Sequence, residues 1–297
     1  MERIFDYRIP LSASGLTITQ YLKSLGYSRH ILTLLKQKEG SLLLNQSPAF
    51  TNGRLKEGDH LHIRLWEDAG DTSILPAPVP FSIVWEDEDL LVVNKPADTP
   101  SHPSMGNREN TLANGVLFHY SQLGNPFVYR CINRLDRDTT GLLIIAKNAL
   151  SGAILSQMMK DRQIRRTYLA IVKGIPPECG TIDAPIGRVP GSLLERQVDF
   201  LHGETAVTHF QTLQQHKELA LVQLQLETGR THQIRVHMGY LGCPLIGDYL
   251  YYPDRSLICR QALHSARLDF LHPITGTPLS FLAPLPADME RVLSLSR

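Results

Sequence analysis

The sequence predicts an α+β protein, with a small N-terminal α/β module before a larger domain built on a mixed, mostly antiparallel sheet. Three observations support this fold class. The chain has 297 residues, of which 42% are hydrophobic, and this is enough for two packed domains. After residue 80, segments typical of strands outnumber those typical of helices. Most connections are also too short or too irregular for the repeated βαβ pattern of a parallel sheet.

The N-terminal module is predicted within residues 1–66. Ile31, Leu34 and Leu35 recur at helical spacing, and Ser28 before them is a possible N-cap. A turn-rich stretch then separates two short runs typical of strands. The module is therefore expected to contain helices over 18–25 and 29–38 and strands over 41–45 and 61–65.

Residues 67–80 are predicted to form a linker, because their acidic, small and proline residues cannot build a strand ladder or a helix interior. The larger domain follows over residues 81–297. Its predicted strands span 81–85, 90–94, 142–146, 167–172, 207–213, 219–226 and 263–268. Its predicted helices span 111–120, 150–161, 231–241 and 287–295. Thr231 is the expected N-cap of the third of these helices.

Composition and motifs argue against several classes of protein. The four cysteines lie far apart without a C-x-x-C spacing, which disfavours a disulfide framework and a thiolate zinc site. His232 and His237 project in different directions on a helix or a strand, so no metal is expected. Without a nucleotide-binding signature, no cofactor is expected either. No apolar run could span a bilayer or serve as a signal peptide, so we expect a cytoplasmic protein with no membrane partner.

Charge is unevenly distributed along the chain. Thirty basic against twenty-nine acidic residues give a net charge of +1, which by itself argues against a nucleic-acid partner. By segment, the net charges are +4 for residues 1–66, −7 for 67–100, +6 for 101–175 and −2 for 176–297. Because a polyanion responds to the local field, the two basic segments make nucleic acid a candidate partner. Ordinary solvated surface charge is the alternative.

The polar run NRLDRDTTG, residues 133–141, is the strongest candidate for chemistry. An apolar segment typical of a buried strand follows directly, and it would hold a loop carboxylate rigidly beside the sheet. Asp136 lies between Arg134 and Arg137, whose charges favour the ionised form suited to nucleophilic or base chemistry. A turn in which Asp136 and Asp138 only accept backbone hydrogen bonds is the alternative.

Two further segments could place basic groups near such a site. In GRTHQIRVH, residues 229–237, Arg230 could point into a cleft and Arg235 could reach a phosphate from the helix. In RRTYLAIVKG, residues 165–174, Tyr168 follows clustered arginines, and an aromatic ring beside basic groups can stack on a base. A core tyrosine with its hydroxyl at the surface is the commoner arrangement and stays open.

In their order along the chain, NRLDRDTTG, RRTYLAIVKG and GRTHQIRVH resemble sequence blocks of the RluA-type pseudouridine synthases. VVNKPADTPSHP, residues 92–103, is similar to the N-K-P block that opens the family's catalytic domain. The resemblance covers residues 81–285 and implies the pseudouridine-synthase fold, an RNA-binding cleft across its sheet and no cofactor. Residues 1–66 resemble, more loosely, a ribosomal S-four-like RNA-binding domain.

The resemblance also implies roles for individual residues. Asp136 matches the catalytic aspartate, Arg230 the basic residue that forms an ion pair with it, and Tyr168 the tyrosine that packs on the uracil. Arg134 matches the arginine that fills the place of the flipped base, and Ile234 matches the apolar residue that lines the uracil pocket. The other residues expected to help bind RNA are Lys95, Arg130, Arg165 and Arg166.

The expected function is isomerisation of specific uridines in structured RNA by a catalytic aspartate. Ribosomal RNA is the preferred target and transfer RNA is possible. One alternative is a non-catalytic RNA-binding or ribosome assembly factor, and another is a carboxylate-dependent N-glycosylase, which would release free uracil. A monomer is the default expectation for the oligomeric state.

Overall fold

The computed structural model describes residues 2–66, 74–104, 106–125 and 127–295. Its helices are α1 (Ile18–Ser24), α2 (Arg29–Gln37), α3 (Leu112–Gln122), α4 (Ala149–Lys160), α5 (Gln233–Tyr240) and α6 (Ala287–Leu295). Its strands are β1 (Glu2–Arg8), β2 (Leu42–Leu44), β3 (Ser47–Pro48), β4 (His60–Trp66), β5 (Ser82–Glu86), β6 (Leu90–Lys95), β7 (Thr140–Ala146), β8 (Arg165–Lys173), β9 (Cys179–Asp183), β10 (Ile186–Arg188), β11 (Arg196–Val198), β12 (Val207–His216), β13 (Leu219–Leu226), β14 (Leu263–Leu271) and β15 (Pro278–Leu282).

Two sheets organise the described residues. The N-terminal sheet has four antiparallel strands in the order β1-β4-β2-β3. The larger sheet has nine strands in the order β5-β6-β7-β14-β8-β13-β12-β9, with β15 also paired to β14. Its β7–β14 pair is parallel and its other pairs are antiparallel. The α+β class with a mixed, mostly antiparallel sheet is therefore confirmed.

The predicted helices are present, with ends that differ by at most two residues. In α2, the Ser28 hydroxyl accepts a hydrogen bond from the Ile31 amide, as expected of an N-cap. The predicted cap of α5 is wrong. His232, not Thr231, precedes the first helical residue, with a left-handed φ of 58° and no hydrogen bond from its side chain to the helix. Strands β1, β3, β9, β10, β11 and β15 were not predicted.

Strand β7 lies at the centre of the core and is buried on both faces. Leu143 and Ile145 pack on one face, in the same apolar cluster as Tyr168. Leu142 and Ile144 pack on the other face, in a second cluster. Because alternate side chains enter different clusters, the strand reads as a continuous apolar run, and it anchors the polar segment that precedes it.

The junction between that polar segment and β7 requires glycine. Gly141 has a φ of +111°, and a Cβ there would lie 2.2 Å from the backbone oxygen of Ser265 on β14. The absence of a side chain therefore allows β7 and β14 to pair in parallel where the loop enters the sheet.

The N-terminal sheet packs against α4, since Leu150 belongs to the same apolar cluster as the N-terminal core. Arg3 of β1 also bonds both carboxylate oxygens of Asp89, each at 3.0 Å. The first half of the predicted linker, 67–73, lies outside the described residues, while 74–80 has no regular secondary structure and passes along α3. Within the described part of the chain, no helix combines the length and the apolar character that crossing a bilayer requires.

Candidate active site

The loop that carries Asp136 is fastened to the sheet by hydrogen bonds on both sides. The side-chain oxygen of Asn133 accepts from the Ile144 amide on β7 at 3.0 Å. The Ser101 hydroxyl donates to the Leu135 carbonyl at 2.9 Å and accepts from the Leu135 amide at 3.1 Å. These bonds immobilise the backbone next to Asp136, whose side chain keeps 24% of its surface exposed.

Lys95 supports this loop from within the protein, so the expectation that it binds substrate in the cleft is wrong. Its side chain is fully buried, and Nζ donates to the carbonyl oxygens of Pro96, Thr99 and Arg137 at 2.7 to 2.8 Å. Burial lowers the pKa of Lys95 to about 7, while the nearby Asp138 and Asp136 charges act in the opposite direction. Since Arg137 directly follows Asp136, Lys95 positions the loop that carries Asp136.

A buried arginine holds the carboxylate of Asp136. Nη1 of Arg235, on α5, lies 3.0 Å from Oδ2 of Asp136. The same guanidinium bonds both oxygens of the fully buried Asp248, at 2.6 and 2.7 Å. Burial alone would lower the pKa of Arg235, but the bonds and charges of Asp248 and Asp136 raise it above its ordinary value. Arg235 is therefore a fixed cation with only 2% of its side chain exposed, and the expectation that it reaches a phosphate is wrong.

Arg230 does not form the expected ion pair with Asp136. Its guanidinium pairs with Glu204 and donates to the Thr205 carbonyl at 3.1 Å. The cause is local, because the Gln233 side chain accepts a hydrogen bond from the Arg230 amide and holds this residue before the first turn of α5. Arg230 still lines the cleft, at its rim.

A cleft of about 500 Å³ opens above Asp136. It brings together five of the nine residues singled out from the sequence, namely Arg134, Asp136, Arg166, Tyr168 and Ile234, with Arg230 at the rim as a sixth. Tyr168 and Ile234 are almost fully buried and form an apolar wall, while Arg134 is exposed. A polar floor that carries the Asp136 carboxylate, beside an apolar wall, suits a flat, partly apolar ring such as a nucleobase.

The arginines at the start of β8 divide between two environments. Arg166 lies on the same side of the strand as Tyr168 and lines the cleft, with Nη2 3.5 Å from the Thr228 carbonyl. Arg165 is exposed outside the cleft wall. Arg130 is also outside it, and its Cδ lies close to Gly152 of α4. The prediction that Arg165 and Arg130 contact phosphates therefore concerns parts of the RNA that lie outside the cleft.

The described residues contain one group with spacing suited to a metal ion, and it lies away from the cleft. Asp87, Asp89 and His272 bring ligand atoms within 4.8 Å of one another. These side chains already bond within the protein, since His272 lies 2.8 Å from the carboxylate of Asp87 and Asp89 forms an ion pair with Arg3. His237 uses both ring nitrogens, on Thr208 and on a backbone carbonyl.

Comparison with known proteins agrees with this geometry. The family model described as RNA pseudouridylate synthase matches residues 89–240. A Bacillus subtilis protein named uncharacterized RNA pseudouridine synthase YjbO is 43% identical over 279 residues, which are 94% of this chain and 98% of that one. Ribosomal large subunit pseudouridine synthase D of Neisseria meningitidis serogroup A is 37% identical, over 100% of this chain and 83% of its own length.

Solved structures show the same architecture. Human RNA pseudouridylate synthase domain containing 1 superposes with a TM-score of 0.58 and 27% identity, over 70% of this chain and 84% of that chain. The human domain containing 4 protein has a TM-score of 0.60 at 24% identity, over 72% and 92% of the two chains, which supports the fold alone. The chain thus belongs to the RNA pseudouridylate synthase family and is an isomerase that acts on RNA.

Proposed function

We propose that this synthase isomerises uridines of large-subunit ribosomal RNA, with Asp136 as its catalytic carboxylate. The observation that carries the proposal is the placement of Asp136, fixed by the buried Arg235 at the floor of a cleft with an apolar wall. The ribosomal target is supported by the relative named ribosomal large subunit pseudouridine synthase D, which aligns with the whole of this chain.

The reaction is an isomerisation, so its atoms balance without a co-reactant. The bond from ribose C1′ to uracil N1 breaks, the base turns, and a bond from C1′ to ring C5 forms. The proton leaves C5 and N1 becomes protonated. An ionised carboxylate held against a cation in a site of limited water access can act on the ribose or the ring as nucleophile or base.

The cleft walls fit a uracil that has left its stack. Flipping a base costs a few kcal/mol, which contacts made inside the enzyme must offset. The rings of Tyr168 and uracil would stack, Ile234 would cover the edge of the base, and the exposed Arg134 would enter the space that the base leaves. We also propose that the enzyme is a monomer and, because its proposed substrate is ribosomal, that it acts in the cytoplasm.

The first experiment is single-turnover conversion of an RNA uridine by purified Asp136→Asn. We expect this variant to form no pseudouridine but to keep its affinity for RNA, because the substitution removes the negative charge of Asp136 and keeps the shape of its side chain. Asp161→Asn, an exposed residue after α4, is the matched control and should be as active as the parent. Product formation by Asp136→Asn contradicts the catalytic role. Release of free uracil by the parent would indicate an N-glycosylase.

The target is tested by mapping pseudouridine in total RNA from cells with and without this protein. Loss of a large-subunit ribosomal site supports the proposal, whereas loss confined to transfer RNA contradicts it.

We also propose that residues 1–66, with their net charge of +4, form an RNA-binding module separate from the catalytic domain at 81–297. Replacing Arg29 and Lys36, two exposed basic residues of α2, by Gln should weaken RNA binding at constant catalytic rate.

Phosphate binding in the cleft is tested with Arg166→Gln. Removing one phosphate contact to single-stranded RNA should lower the slope of log affinity against log salt by about 0.7. Arg291→Gln, an exposed residue of α6 outside the cleft with no expected RNA contact, is the control for the charge itself. An equal change in slope for both variants would show that Arg166 has no specific contact.

A further inference from the structure

His232 occupies a backbone conformation that its residue type rarely adopts. It precedes α5 with φ 58° and ψ 17°, in the left-handed region, and its side chain makes no cap bond to the helix. Such a conformation is strained and persists only where the surroundings hold it. Here it turns the ring inward, leaving 12% of the side chain exposed, with Nε2 3.7 Å from Oδ2 of Asp136.

A chain of hydrogen bonds determines which ring nitrogen of His232 carries the proton. The Tyr251 hydroxyl accepts from the Arg196 amide at 2.9 Å and lies 2.9 Å from Nδ1 of His232. With its acceptor position occupied by the amide, the hydroxyl satisfies its own proton by donating to Nδ1. The neutral imidazole then carries its proton on Nε2, which faces Asp136.

The acid–base properties of both groups agree with this arrangement. Burial lowers the pKa of His232, and the positive charges of Arg235 and Arg196 act in the same direction, while Asp136 and Asp248 oppose them. The ring is therefore neutral at neutral pH. Burial raises the pKa of Tyr251 to about 12, so its hydroxyl keeps the proton that it donates.

We infer that His232 is a positioning residue, whose Nε2–H closes on Oδ2 of Asp136 when RNA binds and leaves Oδ1 to react. The inference rests on Asp136 being the catalytic carboxylate. Both Arg235 and His232 approach Oδ2, and no donor among the described residues bonds Oδ1. A separation of 3.7 Å is too long for a hydrogen bond, but catalytic hydrogen bonds are often long without substrate and shorten in the complex.

The test compares His232→Gln with His232→Leu in single-turnover assays at saturating RNA. Gln and Leu share the backbone cost of the left-handed conformation, but only Gln keeps an N–H donor near the position of Nε2. We expect His232→Leu to lower the catalytic rate about 10- to 100-fold, at unchanged RNA affinity, because misplaced reacting groups cost that much. His232→Gln should recover most of this loss.

A purely structural role for His232 predicts a different pattern. Both variants would then melt earlier and lose rate equally, or neither would lose rate, and either result overturns the inference. An inactive Asp136→Asn beside a fully active His232→Leu would overturn it while preserving the proposed function. An active Asp136→Asn would instead overturn the proposed function.

The tautomer gives an independent readout. In protein labelled with ¹⁵N-histidine, we expect the His232 ring to show the Nε2–H tautomer, and Tyr251→Phe to populate the other tautomer and slow catalysis. Tyr252→Phe is the matched control, since this neighbour packs against the cluster around Ile171 and does not line the cleft. An Nδ1–H tautomer in the parent protein would overturn the inference.

Discussion

Replacement of Arg235 by Met should destabilise the protein far more than the same replacement of Arg230. Without Arg235, the fully buried carboxylate of Asp248 loses its counterion, and stranding one member of a buried pair costs about 3–5 kcal/mol. Asp248 would keep hydrogen bonds from the Leu250 and Tyr251 amides at 3.0 and 3.3 Å. Those remaining donors place the expected loss near the lower bound, at about 3 kcal/mol.

Arg230→Met provides the matched control. The side chains of Arg230 and its partner Glu204 are 39% and 69% exposed, so water competes for both charges. Exposed ion pairs contribute about 0–1 kcal/mol, and the expected loss is within that range. The two substitutions remove the same side chain from positions five residues apart, one of which is buried and the other exposed to solvent.

Urea unfolding followed by circular dichroism measures the loss of unfolding free energy in both variants, provided that this energy depends on urea concentration with the same slope in each. Equal destabilisation by the two substitutions would refute the assignment of Arg235 as the buried cation. If Arg235→Met does not fold, the double variant Arg235→Met with Asp248→Leu removes the stranded charge and should recover stability, since apolar pairs can replace buried ion pairs. That variant should fold but form no pseudouridine, because Asp136 has lost its counterion.

Three further substitutions test the framework around the site. Burial lowers the pKa of His264 to about 4. Below pH 6.5 the unfolded chain therefore binds a proton that the folded chain does not bind, and the free energy of unfolding decreases as the pH is lowered. Between pH 6.5 and 4 the parent should lose up to about 3 kcal/mol more than His264→Asn in unfolding titrations, and parallel curves would contradict this. Gly141→Ala should abolish activity and lower the melting temperature, because its Cβ overlaps the Ser265 backbone; a melting temperature equal to that of the parent would count against that overlap. Thr111→Ala breaks the capping box with Asn114 and should cost about 1 kcal/mol by urea unfolding, whereas an unchanged midpoint would mean that the cap is dispensable.

The elements that sequence reasoning located are those with a strong periodic signal. Helix α2 follows from apolar spacing and the Ser28 cap, and β7 from an unbroken apolar run. Strand β1 was missed because it is an edge strand in which four of the seven residues are charged and only Phe5 is buried. Its identity as a strand depends on pairing with β4, about sixty residues away, which local propensity does not encode.

The residues of the site also differ in whether adjacent sequence or distant contacts determine their position. Asp136 was predicted correctly as a loop residue beside a buried strand, because the polar run and the apolar run are adjacent in sequence. The ion pair with Asp136 was expected of Arg230 from the family resemblance, but Arg235 forms it. The predicted helix start at Thr231 was also two residues early, because the left-handed His232 is followed by the first helical residue, Gln233. Asp248, the third member of the buried cluster, was given no role from the sequence, because no local pattern indicates that it pairs with Arg235.

The buried cluster and the cleft rim also explain how a chain of nearly neutral composition can bind RNA. The floor of the site pairs two carboxylates, Asp136 and Asp248, with the single guanidinium of Arg235, so it is negative overall and would repel phosphate. The rim has the opposite sign. Its cations without an acidic partner among the described residues are Arg134, Lys160 and Arg166. We therefore expect the rim to attract phosphates and the floor to repel them, so that an uncharged group such as a flipped uracil can reach Asp136 without an electrostatic penalty.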